Sequence, residues 1–222
     1  MNNFEKNIFI NCPFDSDYKR MLWILLFTII ICELEPRIAI EREDSGEERI
    51  DKIKELIKCS KYSIHDISRM EPLEKGDLPR FNMPFELGLD LGCRTYGEGR
   101  LKTKKCLILE KEKYRYMKVI SDISGNDIRN YNFKEKILIR KLRNWIRSTT
   151  KKPIPGANKI WQDYNIFYSD LIKTLNKRGF DEDDIEEMPI TEFIYFLKEW
   201  ITETSSILKS KKRSGSHLKA VK

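Results

Sequence analysis

Short, almost wholly apolar runs alternate with longer helical patterns over residues 7–148, and this order constrains the fold more than any other feature of the chain. Asn7-Ile8-Phe9-Ile10-Asn11, residues 37–40, Tyr62-Ser63-Ile64-His65-Asp66 and residues 105–109 (KCLIL) read as strands. Helical patterns fill the intervals at residues 21–32, 49–59, 85–93 and 135–148. Strands that are apolar on both faces must be covered on both faces, which calls for a parallel sheet between two layers of helices. The expected architecture is a flavodoxin-like, three-layer α/β domain with a central parallel sheet, followed by a small C-terminal helical extension.

The first helix carries the most apolar stretch, MLWILLFTIIIC at residues 21–32. Asp15 or Asp17 is placed to cap it, and it stops before Pro36. A helix apolar nearly all round must be covered on most sides, deep in the fold or at a subunit interface. Its 12 residues are too few to span a bilayer. Pro72, Gly76, Pro79 and Pro84 mark a long loop, and residues 121–131 also read as loop. Lys151-Lys152-Pro153-Ile154-Pro155-Gly156 marks a boundary, giving an α/β domain over 1–152, a helical extension over 153–208 and a basic, unstructured tail over 209–222.

Five cysteines, an odd number with no CxxC spacing, fit reduced thiols in a cytoplasmic protein. Two histidines make a His-rich zinc site unexpected, and no metal ligands are assigned. Neither GxxxxGK[ST] nor GxGxxG occurs, which disfavours ATP hydrolysis and ordinary dinucleotide redox chemistry. The net charge of +7 hints at nucleic acid, but residues 209–222 carry +6 of it and the rest of the chain +1. Nucleic acid is therefore not expected beyond tail electrostatics. The alternative is a nucleic-acid-binding protein that uses the basic helix at 134–152.

In a parallel sheet the ligand crevice lies beyond the carboxyl ends of the strands. That places Asn11, Pro13 and Phe14 after the first strand, Arg42 and Asp44 after the second, and Asp66 and Arg69 after the third. Arg80-Phe81-Asn82-Met83-Pro84-Phe85-Glu86-Leu87-Gly88-Leu89 then sets a carboxylate into an otherwise apolar helix start. Burying a carboxylate is costly unless it is bonded or used. Glu86 serves either its own helix cap or a ligand, and Gly88 allows a close approach. A rival constellation is Cys12 with His65 and Asp66 as a nucleophile and its base.

The run MPFELG resembles the FELG/YELG signature of nucleoside 2-deoxyribosyltransferases, whose fold is related to the Toll/interleukin-receptor (TIR) domains. More closely, FINCPFD, RIAIEREDSGEERIDKI, IHDISR, LPRFNMPFELG, CLIL and YRYMKVISDISGNDIR together resemble a bacterial family of TIR-like nucleotide-binding proteins. The likeness covers residues 5–148. It implies Glu86 as the catalytic carboxylate, with Asp66 as the acid at the end of the third strand. The Asp-x-Gly-Thr stretch that precedes the enzyme motif is replaced here by Arg80-Phe81-Asn82-Met83-Pro84.

The resemblance implies an N-glycosidase or ribosyl transferase acting on NAD or a related nucleotide, in antiphage defence. NAD or the nucleotide would be substrate or ligand, with no further cofactor. Asn11, Pro13, Phe14, Arg42, Asp44, Arg69, Arg80 and Asn82 would bind it, arginines on phosphates and aromatic rings on the base. A homo-oligomer and a defence-system partner protein are expected, and no membrane. The other reading is a non-catalytic nucleotide sensor that signals through its C-terminal helices.

Overall fold

The computed structural model describes residues 3–70 and 81–217. These divide into two compact units, with the boundary between Gln162 and Asp163.

The first unit is a five-stranded, all-parallel sheet between helices, the expected flavodoxin-like three-layer arrangement. In chain order come β1 (Asn7–Asn11), α1 (Ser16–Ile31), β2 (Glu35–Ile38), α2 (Arg49–Lys58), β3 (Tyr62–Asp66), α3 (Asn82–Tyr96), β4 (Lys105–Glu110), β5 (Arg129–Asn130) and α4 (Glu135–Thr150). The strand order is β2-β1-β3-β4-β5. β1 is paired on both sides, with Ile8 opposite Pro36 on one and Tyr62 on the other. α1 packs with α4, and α2 with α3, as right-handed crossovers require.

Several boundaries differ from the sequence reading, each for a local reason. Asp15, not Asp17, caps α1, accepting the Tyr18 N–H at 3.0 Å. α1 ends where Glu33 turns left-handed (φ 62°). β2 spans 35–38 rather than 37–40. It is an edge strand that tolerates Pro36, and Ala39–Glu41 winds into a 3-10 turn. β5 lies inside the stretch read as loop; two polar residues carry no strand pattern. α3 starts at Asn82, before Pro84, because a first-turn N–H needs no intrahelical partner. The loop read between β3 and α3 falls largely at 71–80, outside the described residues.

α1 buries nine of its sixteen residues, among them Leu22 and Trp23 through Ile29. No helix among the described residues is long and apolar enough to cross a membrane.

The division into units falls within α5 (Ala157–Lys177), not at residue 152. Arg143 of α4 donates to the carbonyls of Pro155 at 2.8 Å and Ile154 at 3.1 Å, which fastens the proline-rich stretch to the first unit. The second unit holds the rest of α5, α6 (Glu182–Glu187) and α7 (Ile190–His217) around Phe167, Leu171, Phe193 and Leu197. Residues 209–217, expected as unstructured, continue α7. Lys and Arg are good helix formers, so a polar run does not by itself end a helix. Residues 218–222 lie outside the described residues.

Candidate functional site

The order β2-β1-β3 makes the carboxyl ends of β1 and β3 the point where the winding reverses, the place where such sheets open a ligand crevice. β1 ends there at Asn11 and β3 at Asp66, and α3 begins beside them. The tie is direct. The Asn11 amide nitrogen donates to the Met83 carbonyl at 2.8 Å and meets His65 Nδ1 at 2.9 Å. With one proton on Met83, its other proton points at Nδ1. His65 Nδ1 is therefore the acceptor, and Nε2–H donates to Asp90 at 3.1 Å.

α3 turns Met83, Glu86, Leu87 and Asp90 toward the protein interior. Its two inward carboxyls, one turn apart, meet opposite fates. Burial alone would raise Asp90. The hydrogen bond from His65, the Lys104 ammonium 3.0 Å away and the Ser63 hydroxyl outweigh it and hold Asp90 well below the usual carboxylate range. Glu86, only 6% exposed, makes no hydrogen bond or ion pair with any described residue. Burial pushes its carboxyl up to about 7, and the charge of Arg49 opposes this only weakly. Glu86 sits beyond the helix's free N–H groups; Phe85, just before it, already bonds Phe81. It is not a cap. Environments that separate two neighbouring carboxyls in this way mark a candidate acid or base.

Asp66 is held differently. It is fully buried, with Oδ2 accepting from Tyr18 (2.5 Å) and Tyr131 (2.7 Å) and Oδ1 from the Ser68 N–H (2.9 Å). Burial raises it despite these bonds. Both oxygens are engaged, so Asp66 ties α1, β3 and the end of β5 together. Tyr131→Phe is expected to cost about 1–3 kcal/mol in urea unfolding, since it leaves a buried acceptor short of a donor.

The remaining candidates differ in exposure and in what already holds them. Pro13 is buried, while Phe14 is exposed just after β1 and Asn82 is exposed at the start of α3. Phe81, just before Asn82, and Phe85, just before Glu86, are 66% and 56% exposed, two large rings left in solvent at the start of α3. The arginines expected on phosphates are already paired, Arg69 with Asp15 and Asp17, and Arg42 with Glu47 and Glu55. Asp44 closes its own turn on the Gly46 N–H. Arg80 lies outside the described residues. A Cβ on Gly88 would meet nothing within 4 Å, so no other described part of the fold uses the close approach it allows.

Sequence reasoning missed Arg49, the exposed first residue of α2, whose charge reaches Glu86. It reads as an ordinary amphipathic-helix residue, and only the approach of α2 to α3 reveals it.

The Cys12–His65 pair is not assembled. Both nitrogens of His65 are engaged with Asn11 and Asp90. Burial, then Asp66, Glu86 and Asp15, push the Cys12 thiol well up. That opposes a thiolate. His65, Asp90 and Cys106 do bring ligand-type atoms within 4.8 Å of one another. Lys104 already neutralises Asp90, however, and burial pushes the Cys106 thiol up to about 12, against the thiolate a metal takes.

Farther along the same sheet edge, a hollow of about 200 Å³ is lined by Lys113, Tyr114, Asn126, Asp127 and Asn130. A scan against protein-family models finds no match, and neither does a search of curated proteins.

Proposed function

We propose that the chain is a TIR-like N-glycosidase or ribosyl transferase that cleaves the N-glycosidic bond of NAD or a related nucleotide, with Glu86 as the carboxylate facing the anomeric carbon. The observation that carries this reading is the desolvated carboxyl of Glu86, without a partner among the described residues, at the strand-order reversal. Cleavage of an N-glycosidic bond passes through an oxocarbenium-like sugar, which a carboxylate stabilises or attacks. Nicotinamide bound through a quaternary nitrogen leaves without needing a proton, so one carboxylate suffices. A site shielded from water strengthens its pull on the developing cation. The exposed rings of Phe14, Phe81 and Phe85 suit the base. Arg49, unpaired among the described residues, suits a phosphate. Such an activity fits an antiphage role and self-association.

The test is release of nicotinamide from NAD by the purified chain. Only the ionised carboxyl serves the cation, so activity should rise with pH and reach half its maximum near 7. Arg49→Gln removes the charge that lowers Glu86 and should move that midpoint upward. A profile that falls through neutral pH would remove Glu86 from the role.

The sensor reading gains from one observation: Asp66, the expected second acid, has both oxygens committed within the fold. Calorimetric titration with NAD and ADP-ribose separates the two. Tight binding without turnover supports the sensor, and no binding overturns both.

A further inference from the structure

The near-neutral body of the chain conceals a strongly segregated charge. Residues 134–152 hold eight Lys and Arg and a single acid, Glu135, which is paired with Arg20. α4 buries Leu138, Ile139, Leu142 and Ile146 against the first unit. On its other side, Lys136, Arg140, Arg143 and Arg147 recur at intervals of three and four residues, which places them in one stripe along the helix; Lys151 follows as its left-handed C-cap (φ 61°). Lys136, Arg140, Arg147 and Lys151 are exposed, and none pairs with a carboxylate among the described residues. Lys136 lies 5.5 Å over the Trp161 ring, which leaves its charge available. Arg143 anchors the carbonyls of Ile154 and Pro155, so the segment carrying Lys151 and Lys152 is held beside the helix end.

We propose that this face of α4 is a docking surface for the phosphate backbone of a nucleic acid, with Lys136, Arg140, Arg147 and Lys151 as the contacting cations. From Lys136 to the C-cap residue Lys151 the positive charge runs for about 22 Å at 1.5 Å per residue, the length of about six base pairs of duplex. Two of these four cations are arginines, whose planar forks match phosphate oxygens. A lipid surface suits it less, because the apolar side of α4 is buried and offers nothing to insert. A second copy's acidic α6 suits it less as well. α6 has six residues, about 9 Å, and covers under half the distance from Lys136 to Lys151. This surface does not depend on the reading of Glu86.

The experiment is a fluorescence-anisotropy titration of the full chain with labelled mixed-sequence DNA of about 20 nucleotides, single-stranded and duplex, across a salt series. The expected result is salt-dependent binding to at least one of the two. Lys136→Gln/Arg140→Gln/Arg147→Gln should weaken it at least tenfold at constant salt. The slope of log K against log salt should fall by about 2–3, near 0.9 for each phosphate no longer neutralised on duplex and 0.7 on a single strand. Arg140→Lys/Arg147→Lys should keep the slope, which separates missing charge from a damaged fold. Neutralising Lys209, Lys211, Lys212 and Arg213 should leave the α4-dependent difference in place. An unchanged slope in the α4 triple variant, binding that vanishes entirely with the tail charges, or capture only by anionic phospholipid vesicles would overturn the proposal. So would self-association that the triple variant abolishes without any DNA binding.

Discussion

Glu86→Gln should abolish nicotinamide release while making the protein harder to unfold. The amide keeps the size and shape of the side chain but cannot carry the charge that meets an oxocarbenium ion. A loss of at least about 10²-fold in kcat is expected, the scale of removing one electrostatic stabiliser from a buried site. The stability effect has the opposite sign. In the folded protein Glu86 ionises near 7, well above its ordinary 4.5. A carboxyl raised in this way contributes stability that is complete below the unfolded value and is lost as pH rises through the folded one. Above pH 7 the ionised side chain therefore costs about 3 kcal/mol, which glutamine avoids. At pH 8 the variant should melt higher than the parent; near pH 4.5 the two should lie within about 1 kcal/mol. Equal melting curves at pH 8 would show that Glu86 is not held desolvated. Unchanged turnover would show that it is not the catalytic carboxylate. The two measurements fail independently.

Asp90→Ala should be the most destabilising single change near the site. Asp90 is the shared acceptor of a buried cluster, taking bonds from His65 and Ser63 and the charge of Lys104. Lys104 is itself 2% exposed and donates to the carbonyls of Ile57 and Ser60 at 2.8 and 2.5 Å. Without Asp90 that ammonium loses its counter-charge. Breaking a buried pair from one side costs about 3–5 kcal/mol, which should appear as a lower urea midpoint at unchanged m. Because the folded Asp90 carboxyl lies below its unfolded value, its contribution is present above the unfolded pKa and is lost as pH falls toward the folded one. The gap between parent and variant should therefore narrow in acid. A gap that stayed constant with pH would show that packing, not charge, holds α3 in place.

The parallel sheet was legible because β1, β3 and β4 lie in its interior and must be apolar on both faces, which leaves short continuous runs in the sequence. The edges were not. β2 slid past a proline that only an edge tolerates, and β5 is a polar pair with no pattern to read. Glu86 was legible as an acid with no polar neighbours in sequence, and among the described residues it has no bonded partner in space either. Asp66 looked equivalent, being an acid at a strand end. Its two tyrosine partners, Tyr18 and Tyr131, lie 48 and 65 residues away, a distance no local pattern spans. Arg49 escaped for the same reason, since its relation to Glu86 arises only where two helices meet. Charge patterning was legible as a run of residues but not as a stripe, which needed the helix phase and the placement of the neighbouring carboxylates.

The pairing of α1 with α4 bears on how the chain is made. α1 is complete once residue 31 has been added, yet the helix that packs with it ends at Thr150. Translation at about 5–20 residues per second leaves this greasy rod without its cover for roughly 6–24 s on every nascent chain. Chains stopped between α3 and α4 would carry the same bare surface permanently. A transcript cut short there would yield a sticky fragment rather than a smaller working protein, and the cell would meet it as a client for holdases and proteases.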